Sequence, residues 1–482
     1  LFTYFCSINN SYYLNKTLKL VQNHKKTNQL GLFSIWAMGV GLVISGDSYG
    51  FNYGIAKTGL IGFFIPVVVV SVMFFCLIKC NTELLLFFPK TNTPVFYLDT
   101  LLTTKKGLSE KLKKLILLVL EFFILTEFLF TCPAAAKSIA DYLSVLQIGN
   151  LAQDHKTALV FIIFCLLNFM EFNTSKYVII FLTVFAVSEL LLFCLFALPG
   201  FSISHLVQLN QTSHIAFGQE GHFIKNLVTA IPYAIWVFLG IEGLNFYANE
   251  ISADKNFNLR KTIKKVQRGY LFSYVTLLIL ILLVLVCGMA AIQWNKEIFD
   301  QYVAENDIHP LPFILFKVYG ENFSGVTAFT YLGLGGLIAS FFTFLQATIT
   351  QIKISFGFRK RFFPLLIVLC LGVTSIYLEV TSLLIELVVC SACFMYLSNA
   401  FVLVSFKLNP RISLPNFIEA SEKHFFRWRL KKIQLFYPFF LILISLVTMY
   451  VFLRFSLNKE LGYLAISTFG LFLITKYLSK NK

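Results

Sequence analysis

The sequence predicts an all-α integral membrane protein of about twelve transmembrane helices, ten of them in two five-helix repeats of opposite orientation. Three observations support this fold class. Of the 482 residues, 57% are apolar and only 13% are charged, whereas a soluble domain carries roughly 25% charged residues. Lys and Arg are concentrated in alternate loops. Two apolar segments, five spans apart, each carry a carboxylate next to glycines.

Each predicted span is an apolar run, and crossing a hydrocarbon layer of ~30 Å takes about 20 residues. The predicted spans are 32–56, 60–80, 115–146, 157–171, 176–199, 226–248, 270–292, 325–350, 362–378, 381–406, 433–453 and 461–479. The polar stretches between them are too short to bury a core of their own. We therefore expect no soluble domain.

The spans group into six regions along the chain. These are a cytoplasmic N-terminal tail (1–31), a first repeat of spans one to five (32–200), an outer loop (201–225), an inverted second repeat of spans six to ten (226–406), a cytoplasmic loop (407–432), and spans eleven and twelve with a short C-terminal tail (433–482). A repeat with an odd number of spans must be followed by an inverted copy, because the chain changes sides once per span.

The net charge of +16 indicates membrane topology and not nucleic-acid binding. With the N-terminus inside, the inner segments hold 29 of the 40 Lys and Arg residues, and three more lie at the inner ends of predicted spans. This is the positive-inside bias of membrane proteins. It predicts cytoplasmic N- and C-termini, with the chain in contact with the lipid bilayer, in a bacterial inner (plasma) membrane.

We single out six acidic residues within the apolar runs, where a charge is costly to insert. They are Asp47, Glu121, Glu127, Glu189, Glu242 and Glu386. We expect Glu121 and Glu127 to be members of internal ion pairs, since Lys137 lies in the same predicted span, ten residues beyond Glu127. We expect Glu386, near the start of span ten, to face an outer vestibule.

Asp47 and Glu242 predict the binding site, because glycines next to each indicate that spans one and six are broken helices. Where a helix unwinds at mid-membrane, its freed N–H and C=O groups need partners, and a bound solute or ion can supply them. The predicted substrate-binding residues are Ser45, Gly46, Asp47, Ser48, Tyr49, Gly50, Trp236, Phe238, Gly240, Glu242 and Asn245. The predicted ion-coupling residues are Glu242, Glu189, Ser340 and Thr343.

Each of these residues also has a purely structural interpretation. Asp47 can cap the second half of a broken helix, and Glu242 can be a neutral, hydrogen-bonded carboxyl group. Trp236 and Phe238 can be ordinary packing residues, since the chain contains 55 Phe. Ser340 and Thr343 can bond to carbonyl groups of their own helix.

Catalytic and metal-binding residues are not predicted. The seven histidines lie in loops or tails without ligand spacing, and most of the ten cysteines lie in apolar runs. We expect no cofactor and no enzymatic activity. The expected partner is a small-molecule amine or amino acid.

Four segments resemble the amino acid–polyamine–organocation (APC) superfamily permeases, most closely their ethanolamine permease branch. They are ISGDSYGFNYG (44–54), IPYAIWVFLGIEGLNFYANE (231–250), LPFILFKVYG (311–320) and GGLIASF (335–341). This resemblance implies a LeuT/APC-like fold with a central site between broken helices 1 and 6. It also implies alternating access, as symport with a proton or sodium ion or as exchange.

The sequence thus predicts a secondary active transporter of amino acids or of small amines such as ethanolamine. A carboxylate at position 47 favours an amine, because it would repel the carboxylate of an amino acid. One alternative is a receptor or sensor that keeps the permease scaffold without transport. Another, which the absence of a catalytic constellation disfavours, is an integral membrane enzyme.

Overall fold

The structure, a computed structural model, is all-helical throughout the part of the chain it describes. It describes residues 31–44, 51–88, 94–104, 108–147, 151–169, 176–211, 222–247, 259–304, 310–320, 324–356, 362–377, 381–409, 434–456, 468–470, 472–473 and 476. The expectation of an all-α protein is confirmed for these residues.

The longer helices follow the predicted spans, and shorter ones lie between them. They are α1 (Leu32–Val43), α2 (Phe51–Thr58), α3 (Leu60–Phe87), α4 (Pro94–Thr104), α5 (Glu110–Val145), α6 (Gln153–Phe169), α7 (Lys176–Ala197), α8 (Ile203–Gln211), α9 (Phe223–Trp236), α10 (Leu259–Ala291), α11 (Lys296–Ala304), α12 (Pro310–Tyr319), α13 (Ser324–Phe356), α14 (Phe362–Tyr377), α15 (Thr381–Leu408) and α16 (Phe436–Val451). A 3₁₀ segment, Ile241–Tyr247, follows α9.

Several helices extend beyond the predicted spans, and two of them illustrate the reason. The seventh span was expected at 270–292, yet α10 begins at Leu259, and the eighth was expected at 325–350, yet α13 ends at Phe356. Apolarity defined the predicted ends. The added residues include Lys, Arg and Gln, which are good helix formers, so both helices continue past the apolar run.

Seven helices in the described part of the chain are long and apolar enough to cross a membrane. They are Leu60–Leu85, Glu110–Val145, Thr183–Gly200, Phe223–Leu244, Lys264–Ala291, Leu384–Leu408 and Phe436–Phe455. Shorter apolar helices include α1 and α14. The chain is an integral membrane protein, while the count of twelve spans and the two inverted repeats stay predictions.

The first predicted span, 32–56, contains two helices and not one. α1 ends at Val43, and α2 begins at Phe51. Residues 45–50, which hold the predicted binding segment with Asp47, lie outside the described residues. The polarity of the two helices is nevertheless defined, because α1 directs its carbonyl end toward this segment and α2 directs its amide end toward it.

The sixth predicted span, 226–248, is also not one continuous α-helix. α9 ends at Trp236, and its last turn closes with i to i+3 bonds from the N–H groups of Phe238 and Leu239, at 3.0 and 3.2 Å. Gly240 then has φ of +109°. Side chains with a Cβ rarely adopt this angle, so the glycine is what permits the change of direction at this point.

Hydrogen bonds to its backbone hold α1 in the middle of the bundle. The Thr183 hydroxyl of α7 donates to the Ala37 carbonyl at 3.0 Å, and the Ser273 hydroxyl of α10 donates to the Trp36 carbonyl at 3.1 Å. The Trp36 indole N–H donates to the Thr276 hydroxyl at 3.0 Å. These contacts fix the position at which α1 presents its end to the site.

A buried ion pair connects the C-terminal part of the chain to two central helices. The Lys476 ammonium group donates to both Glu121 carboxylate oxygens and to the Ser355 carbonyl, each at 2.7 Å. The Lys476 and Glu121 side chains are only 4% and 12% exposed. The expectation that Glu121 belongs to an internal ion pair is therefore confirmed, and its cation is Lys476, which is far away in the sequence.

Removing the charge of Lys476 is expected to destabilise the protein substantially. Lys476→Met leaves the Glu121 carboxylate without its cation in a buried position, which costs about 3–5 kcal/mol in comparable cases. Thermal unfolding in detergent should show a lower midpoint for Lys476→Met than for the wild type. The double variant Lys476→Met/Glu121→Gln should recover part of that loss. Equal midpoints for all three proteins would contradict a stabilising ion pair.

Candidate functional site

The C-terminal end of α1 and the interruption after α9 are in direct contact. A Cβ atom added to Gly240 would lie 2.6 Å from the Leu42 carbonyl oxygen, and one added to Gly243 would lie 3.0 Å from the Leu42 side chain. On the α1 side, a Cβ at Gly39 would lie 2.7 Å from Leu244. Glycines on both segments thus allow the two backbones to approach closely.

Glu242 places its carboxyl group at this contact. The Gly240 N–H donates to both Glu242 carboxyl oxygens at 3.2 Å, so the side chain supplies the acceptor for this amide at the helix interruption. Glu242 is only 3% exposed. The structural interpretation of Glu242 as a buried, hydrogen-bonded carboxyl group is thereby observed. The same geometry fixes the carboxyl group in one orientation.

A second carboxyl group, that of Glu127 on α5, lies beside that of Glu242 within hydrogen-bonding reach. Glu127 is 2% exposed, and this carboxyl–carboxyl contact takes the place of the ion pair expected for Glu127. Two adjacent carboxylates repel strongly where the dielectric constant is low. The pair is therefore stable only when it holds a proton or another cation.

The Tyr396 hydroxyl of α15 faces the same two carboxyl groups. Tyr396 is completely buried, and its hydroxyl lies within hydrogen-bonding reach of the Glu242 carboxyl group, whereas the Glu127 Oε2 atom has no hydrogen-bond partner within the described part of the chain. Buried polar atoms are normally satisfied. The central cluster of Glu127, Glu242 and Tyr396 thus retains an unused acceptor, the Glu127 Oε2 atom.

Aromatic rings enclose one side of the central cluster. The Phe74 ring lies 5.4 Å from that of Phe238 and 6.0 Å from that of Tyr396, and all three residues are buried. Trp236 is also buried, and its indole N–H has no hydrogen-bond partner among the described residues. The packing interpretation of Phe238 is observed, and its ring also belongs to the wall of the cluster.

The dipoles of α1 and α9 add negative electrostatic potential where the end of α1 meets the interruption after α9. α1 ends at Val43 and α9 ends at Trp236, so both helices direct their C-terminal ends toward the contact between them. A helix C-terminus carries a partial charge of roughly −0.5. Two such ends next to two carboxyl groups favour a cation over an anion.

The structure describes only some of the residues predicted for the site. Ser45, Gly46, Asp47, Ser48, Tyr49 and Gly50 lie outside the described residues. Asn245 belongs to the 3₁₀ segment and Thr343 to α13, but their side chains lie outside the described part. Ser340, also on α13, is buried. The roles predicted for these residues in substrate binding and ion coupling stay predictions.

Glu189 lies in a separate contact. The Tyr142 hydroxyl of α5 donates to the Glu189 carboxyl group of α7, and Gly333 of α13 packs directly against it. Tyr142 lies fifteen residues beyond Glu127 on the same helix, roughly 22 Å along its axis. Glu189 is therefore distant from the central cluster, and its predicted role in ion coupling stays a prediction.

Sequence reasoning missed two members of the central cluster. Glu127 was singled out only as an acidic residue in an apolar run, and Tyr396 is one of 21 tyrosines. Within the described residues, no group of three or more His, Cys, Asp and Glu side chains is arranged to hold a metal ion. The cost of placing a carboxyl group within a membrane span did draw attention to Glu127, but nothing in the sequence indicated that it lies beside Glu242.

Comparison with known proteins identifies the fold of this chain but not its family. The sequence matches no family model, and no curated protein matches it. Solved structures do match, among them two mutant forms of the manganese transporter of Eremococcus coleocola. Both are 12% identical in sequence. One has a TM-score of 0.54 and covers 95% of this chain and 98% of the transporter. The other has a TM-score of 0.52 and covers 93% and 94%, respectively.

These matches overturn the assignment to the APC permeases. The matched proteins are manganese transporters, a different family that shares the LeuT-like fold. Two of the four segments behind the assignment, 44–54 and 231–250, carry glycines where a helix is interrupted, and such glycines serve a backbone geometry common to the fold. The matched proteins are transporters, in agreement with the expectation that this chain is not an enzyme. The chain thus shares the LeuT-like fold of these transporters.

Proposed function

We propose that this protein is a secondary active transporter that moves a small cationic solute across a membrane by alternating access. The observation that carries the proposal is the contact between α1 and the interruption after α9, with the buried Glu127–Glu242 carboxyl pair beside it. The likeness of fold to a manganese transporter supports it. We include in the proposal the twelve spans, the two inverted five-helix repeats and the region boundaries predicted from the sequence.

The proposed binding site combines the described central cluster with the predicted segment at residues 45–50. Glu242 and Asp47 contribute negative charge, and Phe238 contributes an aromatic wall. The remaining predicted residues, from Ser45 to Gly50 and Trp236, Gly240 and Asn245, supply backbone groups or side chains around the solute. In this arrangement Asp47 contacts the cationic group of the solute, in addition to any capping of α2.

Coupling to an ion gradient follows from the carboxyl pair. Two carboxylates ~4 Å apart repel by about 4 kcal/mol at an effective dielectric constant of ~20. Loss of one proton therefore favours the arrival of a second cation, and arrival of the solute favours release of the proton. We propose proton exchange at Glu127 and Glu242. Glu189, Ser340 and Thr343 are further candidates for ion coupling.

Among cations, we propose a small amine such as ethanolamine, or an amino acid that presents its ammonium group. Carboxylates with aromatic rings beside them are a common recognition set for ammonium groups, and Phe74, Phe238 and Tyr396 provide such rings. A divalent metal cation is the second candidate. The matched structures favour it, because they are those of a manganese transporter, and carboxylate oxygens suit manganese.

A flux screen in proteoliposomes tests the proposal. Labelled ethanolamine, amino acids and Mn²⁺ should be offered with and without pH and sodium gradients. We expect saturable uptake of an amine that an inward proton-motive or pH gradient changes, and we expect Asp47→Asn to abolish it in a folded protein. Uptake of Mn²⁺ alone would select the second candidate. Binding of a solute without any flux would indicate a receptor or sensor instead.

Orientation can be tested in the same system. The positive-inside bias supports cytoplasmic termini in a bacterial inner (plasma) membrane. A protease-accessible tag at either terminus should be cleaved in inverted membrane vesicles and protected in spheroplasts. The opposite pattern would reverse the proposed topology.

A further inference from the structure

A second cluster of carboxylate, aromatic and ammonium groups lies beyond the central one, where α2, α9 and α15 meet. The Tyr233 hydroxyl of α9 donates to Glu386 of α15. The Lys57 ammonium group of α2 lies 3.4 Å from the same Glu386 oxygen. It also lies 5.1 Å from the centre of the Tyr233 ring. Tyr53 stacks on Tyr233 with ring centroids 5.7 Å apart.

This outer cluster of Tyr53, Lys57, Tyr233 and Glu386 is separate from the central one. Glu386 and Tyr396 lie ten residues apart on α15, which corresponds to roughly 15 Å along the helix. By the predicted topology, Glu386 is on the outer side. The Lys57 side chain is 37% exposed, whereas that of Glu386 is only 4% exposed. The outer cluster is therefore accessible from one direction, past Lys57.

The Lys57 ammonium group lies next to a carboxylate and an aromatic ring, the two kinds of group that commonly bind an ammonium ligand. A carboxylate supplies the counter-charge, and an aromatic face supplies a cation–π contact. The Glu386 Oε2 atom is buried without a hydrogen-bond partner among the described residues. Lys57 contacts only the Oε1 atom of Glu386. The Oε2 atom therefore remains available to accept a hydrogen bond from a ligand.

We propose that Glu386, Tyr233 and Tyr53 form a second binding site for primary ammonium compounds, in which the Lys57 ammonium group is an internal competitor. An arriving amine displaces Lys57 from Glu386 and separates α2 from α15, and the amine then continues to the central cluster. The inference rests on the proposed transport of a cation and adds where that cation binds first.

Binding of ethylammonium to the protein in lipid nanodiscs tests this site. Saturation-transfer NMR of the ethyl protons can compare wild type with Lys57→Met. An intramolecular competitor acts at an effective concentration of millimolar or more. We therefore expect Lys57→Met to bind ethylammonium about tenfold more tightly than wild type. Adding Glu386→Gln to Lys57→Met should abolish the gain, whereas adding Glu242→Gln should leave it in place.

Unchanged affinity in Lys57→Met, or a gain that survives Glu386→Gln, would overturn the second site. Lys57→Gln provides an independent variant if Lys57→Met does not fold, which size-exclusion chromatography will show, and it should give a gain of the same sign. The two proposals fail separately. If the protein takes up a cation but Lys57→Met does not bind ethylammonium more tightly, only the second site is excluded. If Lys57→Met binds ethylammonium more tightly but the protein takes up no cation, only the transport function is excluded.

Discussion

Glu242→Gln is expected to reduce uptake of the transported cation by about a hundredfold or more. The glutamine side chain keeps an oxygen that can accept the Gly240 N–H, so the helix interruption retains its hydrogen bond. What disappears is the negative charge next to Glu127 and the ability to exchange a proton. A charge-assisted contact to a buried ammonium group is worth several kcal/mol when its partner is removed, which corresponds to the predicted loss. Initial uptake rates in proteoliposomes measure it.

Two further carboxyl variants show whether the effect belongs to the central cluster. Glu127→Gln should also impair uptake, and it should weaken the dependence of uptake on the pH gradient, because the pair can no longer exchange a proton. Glu110→Gln is the matched control, since Glu110 is exposed and pairs only with Lys113 in the contacts described. Normal uptake by Glu242→Gln, or equal loss in Glu110→Gln, would contradict a role for the carboxyl pair.

Gly240→Ala is expected to abolish transport and to lower the stability of the protein. Alanine at φ of +109° is strained, at a cost of roughly 1–3 kcal/mol. Its Cβ atom would also lie 2.6 Å from the Leu42 carbonyl oxygen. A backbone atom cannot move aside as a flexible side chain can, so α1 and the segment after α9 must separate. Thermal unfolding and uptake should both be measured.

Substitutions of two other glycines separate the effect of backbone strain from the effect of steric crowding. Gly320 has φ of +83°, and a Cβ there would meet no atom within 4 Å, so Gly320→Ala isolates the strain of the backbone angle. The atoms nearest to a Cβ on Gly243 belong to the flexible Leu42 side chain, at 3.0 Å and beyond, so Gly243→Ala isolates mild crowding. We expect both variants to transport. A Gly240→Ala protein as active as these two would show that close contact of the broken segments is not required.

Local features of the sequence predicted local features of the structure. Continuous apolar runs indicated helices, and glycines around Glu242 indicated an interruption, which the structure shows after Trp236. The contacts between distant parts of the chain were not predictable in this way. Lys57 and Glu386 are 329 residues apart, and Glu121 and Lys476 are 355 residues apart. No periodicity in one helix specifies which residue of another helix will face it.

The family assignment was wrong for a related reason. Small residues at a helix interruption satisfy requirements of the backbone, and these requirements are the same in every member of a fold. The identity of the solute depends instead on the few side chains that surround it, such as Glu127 and Tyr396, which come from separate helices. The sequence motifs could therefore indicate the fold more readily than the family.

A cryo-EM map of the protein in nanodiscs, recorded with the cation selected by the flux screen, tests the central claim most directly. We predict density for the solute next to the Glu242 carboxyl group, between the C-terminal ends of α1 and α9. We also predict that the chain is not α-helical through residues 45–50. Continuous α-helix across both 44–50 and 237–240, with these residues facing lipid, would contradict the account.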